Sequence, residues 1–559
     1  MSRILWRLPP PTDQVGHLPG LHPLVVQLLH NRGISDSTRA ELFLSADSRL
    51  QADPFLLPDM HLAVSRIYQA LLSAEQIAIY GDFDADGITA TALLVQGLSA
   101  LGGKVIPYIP HRHHEGYGLQ LTALERLRKQ GVSLIITTDT GITAITEVKK
   151  ARRLGLDVII TDHHIPLASL PPALAVVNPK RNDSAFPTSD LAGVGVAYKL
   201  IQALLQGSGR EDLLHSLLDL VALGTVTDMI PLLGDNRYWV KYGLELLNDT
   251  QRLGLQELMR CAGLRAGNID TNSISWILGP RLNAAGRLDD AALSYRLLLT
   301  QDPGEASLLA AQLEEKNAKR QQLTSELLEK TRGKIIAAGI DQPLLMAGDT
   351  DSSPGVMGLV AGKLAEEFYR PVILFKIGTE ICRGSGRSIP EFDLMAALQE
   401  CCDLLADFGG HTRAAGFTVP AANLPQLQKR LLEIAETRLA GYDLRPHLNI
   451  DAEVPLSAFA GGTFQQIQQL APFGCGNPEP TFITRHVQVI DQRQIGNQGE
   501  HLKLKLKQEG ITWDAIAFSC GNLALETTGY LDIVYKLDID RWNDEERLRL
   551  NLIDFTPTG

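Results

Sequence analysis

The amino-acid sequence predicts an α/β protein with a doubly wound parallel sheet, a long connecting helix, a second and smaller α/β module, and a C-terminal β-barrel. Three observations predict this fold class. Between residues 61 and 235, short apolar runs alternate with helical patterns, as is typical of parallel sheets. The same alternation returns between residues 340 and 440. After residue 445 the hydrophobic pattern changes to a period of two, which is typical of half-buried strands.

The length and composition of the chain indicate several globular domains. A chain of 559 residues is too long for one hydrophobic core, and contents of 45% hydrophobic and 21% charged residues are ordinary for a globular protein. The changes of pattern divide the chain into a helical N-terminal segment (1–60), a first α/β domain (61–235), a helical region with the connecting helix (236–335), a second α/β domain (336–443) and a barrel domain (444–559).

Charge and cysteine content limit the class of protein. Because the net charge is −12, any nucleic-acid binding must use local basic patches. No run of 18 apolar residues occurs, and the first 14 residues hold too short an apolar stretch for a signal peptide. The six cysteines are scattered without a CxxC pair, which favours a reducing compartment and argues against a zinc ribbon. We expect a cytoplasmic protein.

The first α/β domain contains five apolar runs of strand length. These strand candidates are residues 77–80, 104–109, 133–138, 156–161 and 174–177. Helical patterns lie between several of them, for instance at 121–130 and 144–154. Their alternation predicts the doubly wound parallel sheet.

Acidic residues and histidines follow three of these strand candidates. They are Asp82, Asp84 and Asp86 after the first, Asp139 after the third, and Asp162, His163 and His164 after the fourth. Because ligands bind beyond the carboxyl ends of parallel strands, we expect these side chains to converge at one edge of the sheet. Carboxylates held so close repel one another unless a cation neutralises them. Carboxylates with imidazoles and without thiolates suit Mn²⁺ or Mg²⁺.

Asp228 is a further carboxylate in apolar surroundings, where an ionised side chain is costly unless it reaches a metal. Taken alone, an acidic turn or a pair of histidines is often just a solvated surface turn. The repetition at three strand ends favours the metal site.

A long charged stretch follows the first domain. Between Glu305 and Lys334, leucines recur at helical spacing, which predicts the connecting helix. Asn317 and Arg320 on this helix could line a cleft, but we expect them to face solvent.

The second α/β domain contains two glycine-rich motifs, Gly384–Ser388 and Gly409–Gly416, after strand candidates at 343–348 and 370–375. Gly-Ser-Gly-Arg-Ser brings backbone N–H groups, hydroxyls and a guanidinium together, which predicts a phosphate cradle.

In the barrel domain, residues 501–507 alternate leucine with histidine or lysine. The pattern predicts either a strand with a basic outer face suited to a phosphate backbone or an edge strand protected by lysines. Candidates for base stacking are Trp513, Phe518, Tyr535 and Trp542, with core packing as the alternative for most of them.

These motifs, taken in order, resemble those of the DHH phosphoesterases, and most fully those of the RecJ branch, the single-strand-specific 5′→3′ DNA exonucleases. The stretches that match are Gly81–Gly87, Asp139–Gly141, Asp162–His164, Leu220–Asp228, Gly279–Arg287, Gly384–Ser388 and Gly409–Gly416. The resemblance runs over nearly the whole chain, and the ordered set is far more specific than any single motif. It implies a DHH domain, a DHH-associated domain and a C-terminal OB fold.

The resemblance, together with the carboxylates at the strand ends, implies phosphodiester hydrolysis at a site for two divalent ions, Mn²⁺ or Mg²⁺. The expected metal ligands are Asp82, Asp84, Asp139, His163 and Asp228, with Asp139 as the bridge. We expect His164 to touch the second ion or the phosphate. Asp162 is expected to orient a histidine, and Asp86 either to ligate or to support its turn.

The resemblance also implies a set of DNA contacts. The expected nucleic-acid-binding residues are Arg112, Tyr117, Arg281, Arg287, Ser385, Arg387 and His411. The loop that holds Arg112 and Tyr117 also contains three histidines, which we do not expect to bind metal because the acidic site already accounts for the ions. One departure is Ser352-Ser353, which stand where RecJ-like chains usually have Trp-His. This departure leaves the metal ligands untouched and concerns DNA affinity, processivity or the preferred length of the substrate.

The implied function is a single-strand-specific 5′→3′ exonuclease that releases 5′ mononucleotides and serves DNA recombination and repair. Two alternatives are a DHH phosphodiesterase acting on short oligonucleotides or cyclic dinucleotides, and a non-catalytic DNA-binding scaffold. The extra barrel argues against the first, and the complete ligand set argues against the second. The expected partners are single-stranded DNA, a single-strand-binding protein and a helicase, with no membrane, and the chain is expected to be a monomer.

Overall fold

The structure is a computed structural model that describes residues 4–9, 18–112, 114–459, 461–496, 498–526, 529–542 and 545–558. His113 and the side chain of Trp542 lie outside the described part. The chain forms two compact units. The larger unit comprises Pro54–Asp228 and Glu245–Leu444, and the barrel unit comprises Met1–Asp53, Met229–Leu244 and Arg445–Gly559. The finer division into five regions stays a prediction.

The strands, in chain order, are β1 (Leu5–Arg7), β2 (Gln76–Tyr80), β3 (Lys104–Tyr108), β4 (Val132–Thr138), β5 (Asp157–Thr161), β6 (Ala175–Val177), β7 (Leu345–Asp349), β8 (Val372–Lys376), β9 (Ile381–Arg387), β10 (Asp407–His411), β11 (Ala414–Pro420), β12 (His447–Asn449), β13 (Ala452–Glu453), β14 (Phe482–Ile495), β15 (His501–Gln508), β16 (Ile511–Ala517), β17 (Tyr530–Trp542) and β18 (Glu545–Pro557).

The α-helices are α1 (Pro23–Asn31), α2 (Ser37–Ser45), α3 (Met60–Leu72), α4 (Ala85–Ala100), α5 (Leu121–Lys129), α6 (Ile145–Arg153), α7 (Gly193–Leu205), α8 (Glu211–Ser216), α9 (Leu218–Thr227), α10 (Gly234–Asn248), α11 (Leu253–Cys261), α12 (Gly279–Leu288), α13 (Ala292–Leu299), α14 (Pro303–Ala338), α15 (Pro354–Phe368), α16 (Leu394–Gln399), α17 (Leu424–Leu439) and α18 (Thr463–Gln468). A π-helical turn (Ser273–Leu278) leads directly into α12.

The first sheet of the larger unit is parallel throughout, in the order β3-β2-β4-β5-β6. Its inner strands are buried on both faces, as their unbroken apolar runs require. Helices α5 and α6 cover the face that carries Ala78 and Ile135. Alternate residues such as Ile77 and Ile136 are equally buried, and α4 and α7 also contact the sheet. The predicted doubly wound parallel sheet is confirmed.

The second sheet of the larger unit is mixed, in the order β10-β11-β9-β8-β7. Only β7 and β8 are parallel, and the remaining pairs are antiparallel. This is the second, smaller α/β module that the sequence predicts. The long helix α14 contacts α11, α12 and α13 as well as β7 and α15, so that it connects the two modules within this unit.

The first glycine-rich motif lies in a strand, and the second spans β10, the turn at Thr412-Arg413 and β11. Gly384–Arg387 belongs to β9, whose backbone pairs with β8 on one side and β11 on the other. A Cβ at Gly384 would lie 2.2 Å from the Phe417 ring, and one at Gly386 would lie 2.6 Å from Leu394. The predicted cradle of backbone N–H groups is therefore wrong, because these glycines serve strand packing.

The barrel unit contains a closed barrel of five strands. They pair in the order β14-β15-β16-β18-β17, and a further pairing of β14 with β17 closes the barrel. Leu502, Leu504 and Leu506 point into its core, which confirms the period of two. The N-terminal helices α1 and α2 pack against the same core.

The outer face of β15 is less basic than the sequence predicts. Lys505 lies between Asp491 of β14 and Asp514 of β16 in the strand register. Because β15 is paired on both sides, the alternative of an edge strand is wrong. Tyr535 is a core residue, and Phe518 is about half exposed.

Among the described residues, no helix is both long and apolar enough to cross a membrane. All six cysteines are free thiols.

A substitution at Gly286 of α12 tests the close contact between this helix and the loop after β2. A Cβ at this position would lie 2.2 Å from the Phe83 carbonyl oxygen, in the loop between β2 and α4. We expect Gly286→Ala to destabilise the protein by about 1–3 kcal/mol through overpacking. Gly333→Ala in α14 is the matched control, because its Cβ meets nothing within 4 Å. Thermal denaturation measures both variants. An unchanged melting temperature for Gly286→Ala would contradict the close contact of α12 with this loop.

Candidate active site

The loop after β2 is held in a tight conformation. Asp84 caps α4 by accepting a hydrogen bond of 3.0 Å from the Gly87 backbone N–H. The Ala85 N–H donates to Asn283 Oδ1 of α12 at 2.8 Å. A Cβ at Gly87 would lie 2.7 Å from backbone atoms of Asp82, so only glycine fits there. The loop therefore places Asp82 and Asp84 at a fixed position beyond the strand.

Asp139, directly after β4, has a left-handed backbone with φ 61°. This conformation is uncommon for residues other than glycine, although Asp adopts it more readily than most. The start of α7 holds it in place, since a Cβ at Gly193 would lie 2.5 Å from the Asp139 Cβ.

His163 lies at the centre of the acidic residues. Its Nε2 is 3.0 Å from Asp139 Oδ1 and 3.9 Å from Asp86 Oδ2, and its Nδ1 is 3.7 Å from Asp228 Oδ2. Three sets of side chains have ligand atoms within 4.8 Å of one another: Asp82, Asp84 and Asp139; Asp139, His163 and His164; and Asp86, His163 and Asp228. The structure thus brings together every strand-end residue of the predicted cluster except Asp162, whose carboxylate contacts His164. Asp139 belongs to two sets, which is the arrangement that a bridging carboxylate requires.

Burial and mutual repulsion raise the pKa values of these carboxyl groups. For Asp82, burial and then the charge of Asp84 raise the pKa well above its usual range. For Asp139 and Asp228 the causes are burial and the charges of Asp86 and Asp84. Oδ1 of Asp82 is buried with no hydrogen-bond partner among the described residues. Divalent cations satisfy both features, because they neutralise the charges and bind the free oxygen.

The two histidines differ in charge. Burial and the neighbouring charge of His164 lower the pKa of His163 to about 3, which leaves the neutral imidazole that binds metals. Burial opposes the charged form of His164, but the hydrogen bond from its Nδ1 to Asp162, 2.8 Å long, helps to raise its pKa to about 9. A protonated His164 can donate a hydrogen bond to a phosphate oxygen.

Asp162 has no capacity left for a metal. Its carboxylate is fully buried and accepts backbone hydrogen bonds from Ile142, His163 and His164 besides the His164 side chain. Burial opposes the ionised form, but the hydrogen bond and charge of His164 lower the pKa of Asp162 below its usual range. This geometry agrees with an orienting role.

Asp86 anchors α7. Its carboxylate accepts hydrogen bonds of 2.6 Å from the Gly193 N–H and 2.9 Å from the Val194 N–H at the start of that helix. Burial and the charge of Asp84 raise its pKa to about 7.

Four arginines lie close to one another beside the acidic cluster, and we call this group the arginine pocket: Arg112, Arg287, Arg320 and Arg387. The Arg112 guanidinium lies 4.9 Å from the ring centre of Phe83, the residue between Asp82 and Asp84. Burial and the charges of Arg112, Arg320 and Arg387 lower the pKa of Arg287 to about 10. A buried cluster of like charges favours an anion, and guanidinium groups match the geometry of phosphate.

Helix α15 forms one wall of this arginine pocket. A Cβ at Gly358 would lie 2.8 Å from Arg387 Nη2 and 3.1 Å from Ser385 Oγ. One at Gly355 would lie 2.4 Å from the Arg287 carbonyl oxygen. Arg287 Nη1 also donates to the Gly355 carbonyl at 3.2 Å.

The other predicted DNA-binding residues lie at different places. Tyr117 is half exposed and meets His164 edge to face, with ring centres 6.1 Å apart. His411 lies nearly parallel to His164, with ring centres 6.0 Å apart. The Arg281 guanidinium forms an ion pair of 2.6 Å with Glu314 of α14, and it lies close enough to Arg320 for its charge to add to burial in lowering the pKa of that arginine.

Three residues of the site were missed or misplaced by the sequence. Asn317 is buried and Arg320 is half buried, so the expectation that both face solvent is wrong. Asn317 accepts hydrogen bonds from Arg320, which holds that guanidinium in place. Their spacing of three residues on one helix is the signal that could have indicated the pair. Asn283 lies within a matching motif but has no role assigned to it from the sequence.

Comparisons with known proteins identify the families that this chain matches. Three family models match: the DHH family, N-terminal domain, over residues 76–225; the DHHA1 domain over residues 309–437; and the RecJ OB domain over residues 450–554. The single-stranded-DNA-specific exonuclease RecJ of Bacillus subtilis (strain 168) is 39% identical over 99% of this chain and 71% of its own length. RecJ of Escherichia coli (strain K12) is 33% identical over 98% of each chain.

A solved structure agrees with the fold over the whole chain. The crystal structure of RecJ from Thermus thermophilus in complex with Mn²⁺ has a TM-score of 0.84 and 30% identity, covering 100% of this chain and 80% of that one. The same protein in complex with Mg²⁺ has a TM-score of 0.78. On the ordered motifs, the domain models and these relatives, the chain belongs to the RecJ family of the DHH phosphoesterases.

Proposed function

We propose that this chain is a metal-dependent exonuclease that hydrolyses single-stranded DNA from the 5′ end and releases 5′ mononucleotides. The observation that supports this most is the juxtaposition of two pockets of opposite charge. Overlapping sets of metal-binding side chains share Asp139, and the arginine pocket adjoins them at Phe83. Its relatives carry the description of single-stranded-DNA-specific exonucleases.

We assign the metal ligands as predicted, with Asp139 as the bridge. Two divalent ions bound here would activate water and neutralise charge on the scissile phosphate. The residues Asp82, Asp84, Asp139, His163 and Asp228 would hold them. Asp162 fixes His164 so that its other ring nitrogen is free for a phosphate oxygen. Asp86 keeps α7 in position.

The arginine pocket suits a terminal phosphate rather than an internal one. Helix α15 closes one side through its contacts with Arg287 and Arg387. A strand that ended there would place the next phosphodiester at the acidic cluster, so one nucleotide would be released in each cycle. Ser352 and Ser353 precede α15, whereas Arg287 and Arg387 contact this helix further along, at Gly355 and Gly358.

The wider role is also part of the proposal. A nuclease that degrades single strands from one end suits DNA recombination and repair. We infer that it works as a monomer in the cytoplasm with a single-strand-binding protein and a helicase. The closed barrel supports this role, since OB folds bind single strands.

End-labelled DNA tests polarity and substrate class. We expect early release of 5′ mononucleotides from single strands in the presence of Mn²⁺, and no comparable release from blunt duplex. The measurement is a time course with strands labelled at either end, beside a dinucleotide. Turnover restricted to the dinucleotide would support a small-substrate phosphodiesterase instead. Binding without cleavage would support a scaffold.

Metal binding can be measured through the melting temperature as well as through activity. We expect Mn²⁺ to raise the melting temperature of the wild-type protein, and Asp139→Ala to lose most of this rise together with hydrolysis. In EDTA the variant should melt no lower than wild type, because it lacks one of the repelling carboxylates. Asp341→Asn, at an exposed position, is the control. A full Mn²⁺ effect in Asp139→Ala would remove that residue from the metal site.

Arg387→Ala tests the terminal-phosphate pocket. Loss of a charge-assisted contact costs about 1.5–3 kcal/mol, so we expect kcat/KM on 5′-phosphorylated strands to fall roughly ten- to a hundredfold. Strands with a 5′ hydroxyl should be affected much less. Arg383→Ala, on the exposed part of the same strand β9, should leave both substrates unchanged. Equal losses on both substrates in Arg387→Ala would argue against recognition of the 5′ phosphate.

A further inference from the structure

Trp276 is the most exposed aromatic side chain among the described residues, with 77% of its surface accessible. Tryptophan is usually well buried, and an exposed indole offers a flat surface on which a nucleobase can stack. Trp276 is not among the stacking candidates that the sequence suggests.

The residue lies on the π-helical turn Ser273–Leu278 that leads into α12. Such turns are rare and occur frequently at functional sites. Directly after the turn, Gly279 touches α9. A Cβ there would lie 2.4 Å from Thr227 Cγ2, and Thr227 precedes the predicted ligand Asp228. Trp276 therefore lies three residues before the point where this segment contacts α9 next to Asp228.

Helix α12 touches the site at regular intervals. Gly279 lies beside Thr227, Asn283 bonds to Ala85 next to Asp84, and Arg287 belongs to the arginine pocket. Residues four apart lie on nearly the same face of a helix, about 6 Å from one another along the axis. This step is comparable to the distance between neighbouring phosphates in an extended single strand.

The order of these contacts gives a direction along the helix. The arginine pocket is at the C-terminal end, the acidic cluster is next to the middle, and Trp276 lies beyond it at the N-terminal end. Trp276 is roughly 16 Å from Arg287 along the axis at 1.5 Å per residue. A strand whose 5′ phosphate entered the arginine pocket and whose first phosphodiester reached the acidic cluster would pass Trp276 two or three nucleotides from its end.

We propose that Trp276 forms a base-stacking subsite for the single strand on the 3′ side of the scissile phosphate. This inference rests on the proposed function and names a further binding residue for it. A stacked base would hold the strand in register but would take no part in the hydrolysis. A dinucleotide would be too short to use the subsite.

The test compares Trp276→Ala with Trp276→Phe. On 5′-phosphorylated dT12 with Mn²⁺, we expect Trp276→Ala to raise KM about tenfold, the size of one stacking contact, with kcat unchanged. Turnover of the dinucleotide pdTpdT should not change, and Trp276→Phe should stay close to wild type. Leu72→Ala, at another highly exposed apolar position at the end of α3, is the control. An unchanged KM in Trp276→Ala would overturn the proposal.

Abasic substitution locates the stacked base. A dT12 strand that lacks its second or third base should bind wild type about as weakly as intact dT12 binds Trp276→Ala. The same abasic strand should bind Trp276→Ala no more weakly than it binds the wild-type protein. If the loss of affinity caused by Trp276→Ala simply added to the loss caused by an abasic site at every position, the subsite would be disproved.

Fluorescence separates this inference from the proposed function. In an Asp139→Ala background, dT12 should quench the tryptophan emission, and the additional change Trp276→Phe should remove most of the quenching. Without cleavage by the wild type the proposed exonuclease would fail, but this quenching would still support the stacking subsite. Quenching that is equal with and without Trp276 would overturn the subsite even if cleavage is normal.

Discussion

Mutual repulsion among buried carboxylates is the constraint on which the larger unit depends. Asp82, Asp86, Asp139 and Asp228 lie in a water-poor space where they cannot all be ionised without cations. The fold holds them together because each is fixed from outside the cluster. Glycine contacts hold two of the segments, and the first N–H groups of α7 hold Asp86. The strained backbone of Asp139 is part of the same arrangement.

The arginines and the carboxylates of the site lie close to one another but form no direct ion pairs among the described contacts. The arginine pocket adjoins the acidic cluster, and the Arg112 guanidinium lies over the ring of Phe83, the residue between Asp82 and Asp84. Direct ion pairs would satisfy both groups and leave nothing for a ligand. Separate pockets instead suit cations on one side and a phosphate on the other. This explains how a chain with a net charge of −12 can suit DNA at one place.

The sequence predicts the parallel sheet and its acidic edge because both follow from local rules. A strand-length apolar run ends at an acidic residue three times, and parallel strands bring those ends together. It does not predict the glycines of β9, since Gly384 and Gly386 look like a phosphate loop but make room for Phe417 and Leu394. Nor does it predict the burial of Asn317, because the helical period shows one apolar face of α14 and does not show which of its other faces neighbouring helices cover.

The pair Ser352-Ser353 shows how affinity can change while the chemistry is kept. Ser353 occupies the position before α15 but makes no capping hydrogen bond, and Ser352 is buried beside a cavity of about 200 Å³. The arginine pocket is built on α15 further along, at Gly355 and Gly358. Two serines in place of the usual Trp-His pair therefore alter the surface at the start of α15. They do not alter the part of the helix that contacts the guanidinium groups. In the proposed function, a strand that passes this wall would have less side chain to contact than the usual Trp-His pair offers, so base contacts elsewhere on its path would contribute more to holding it.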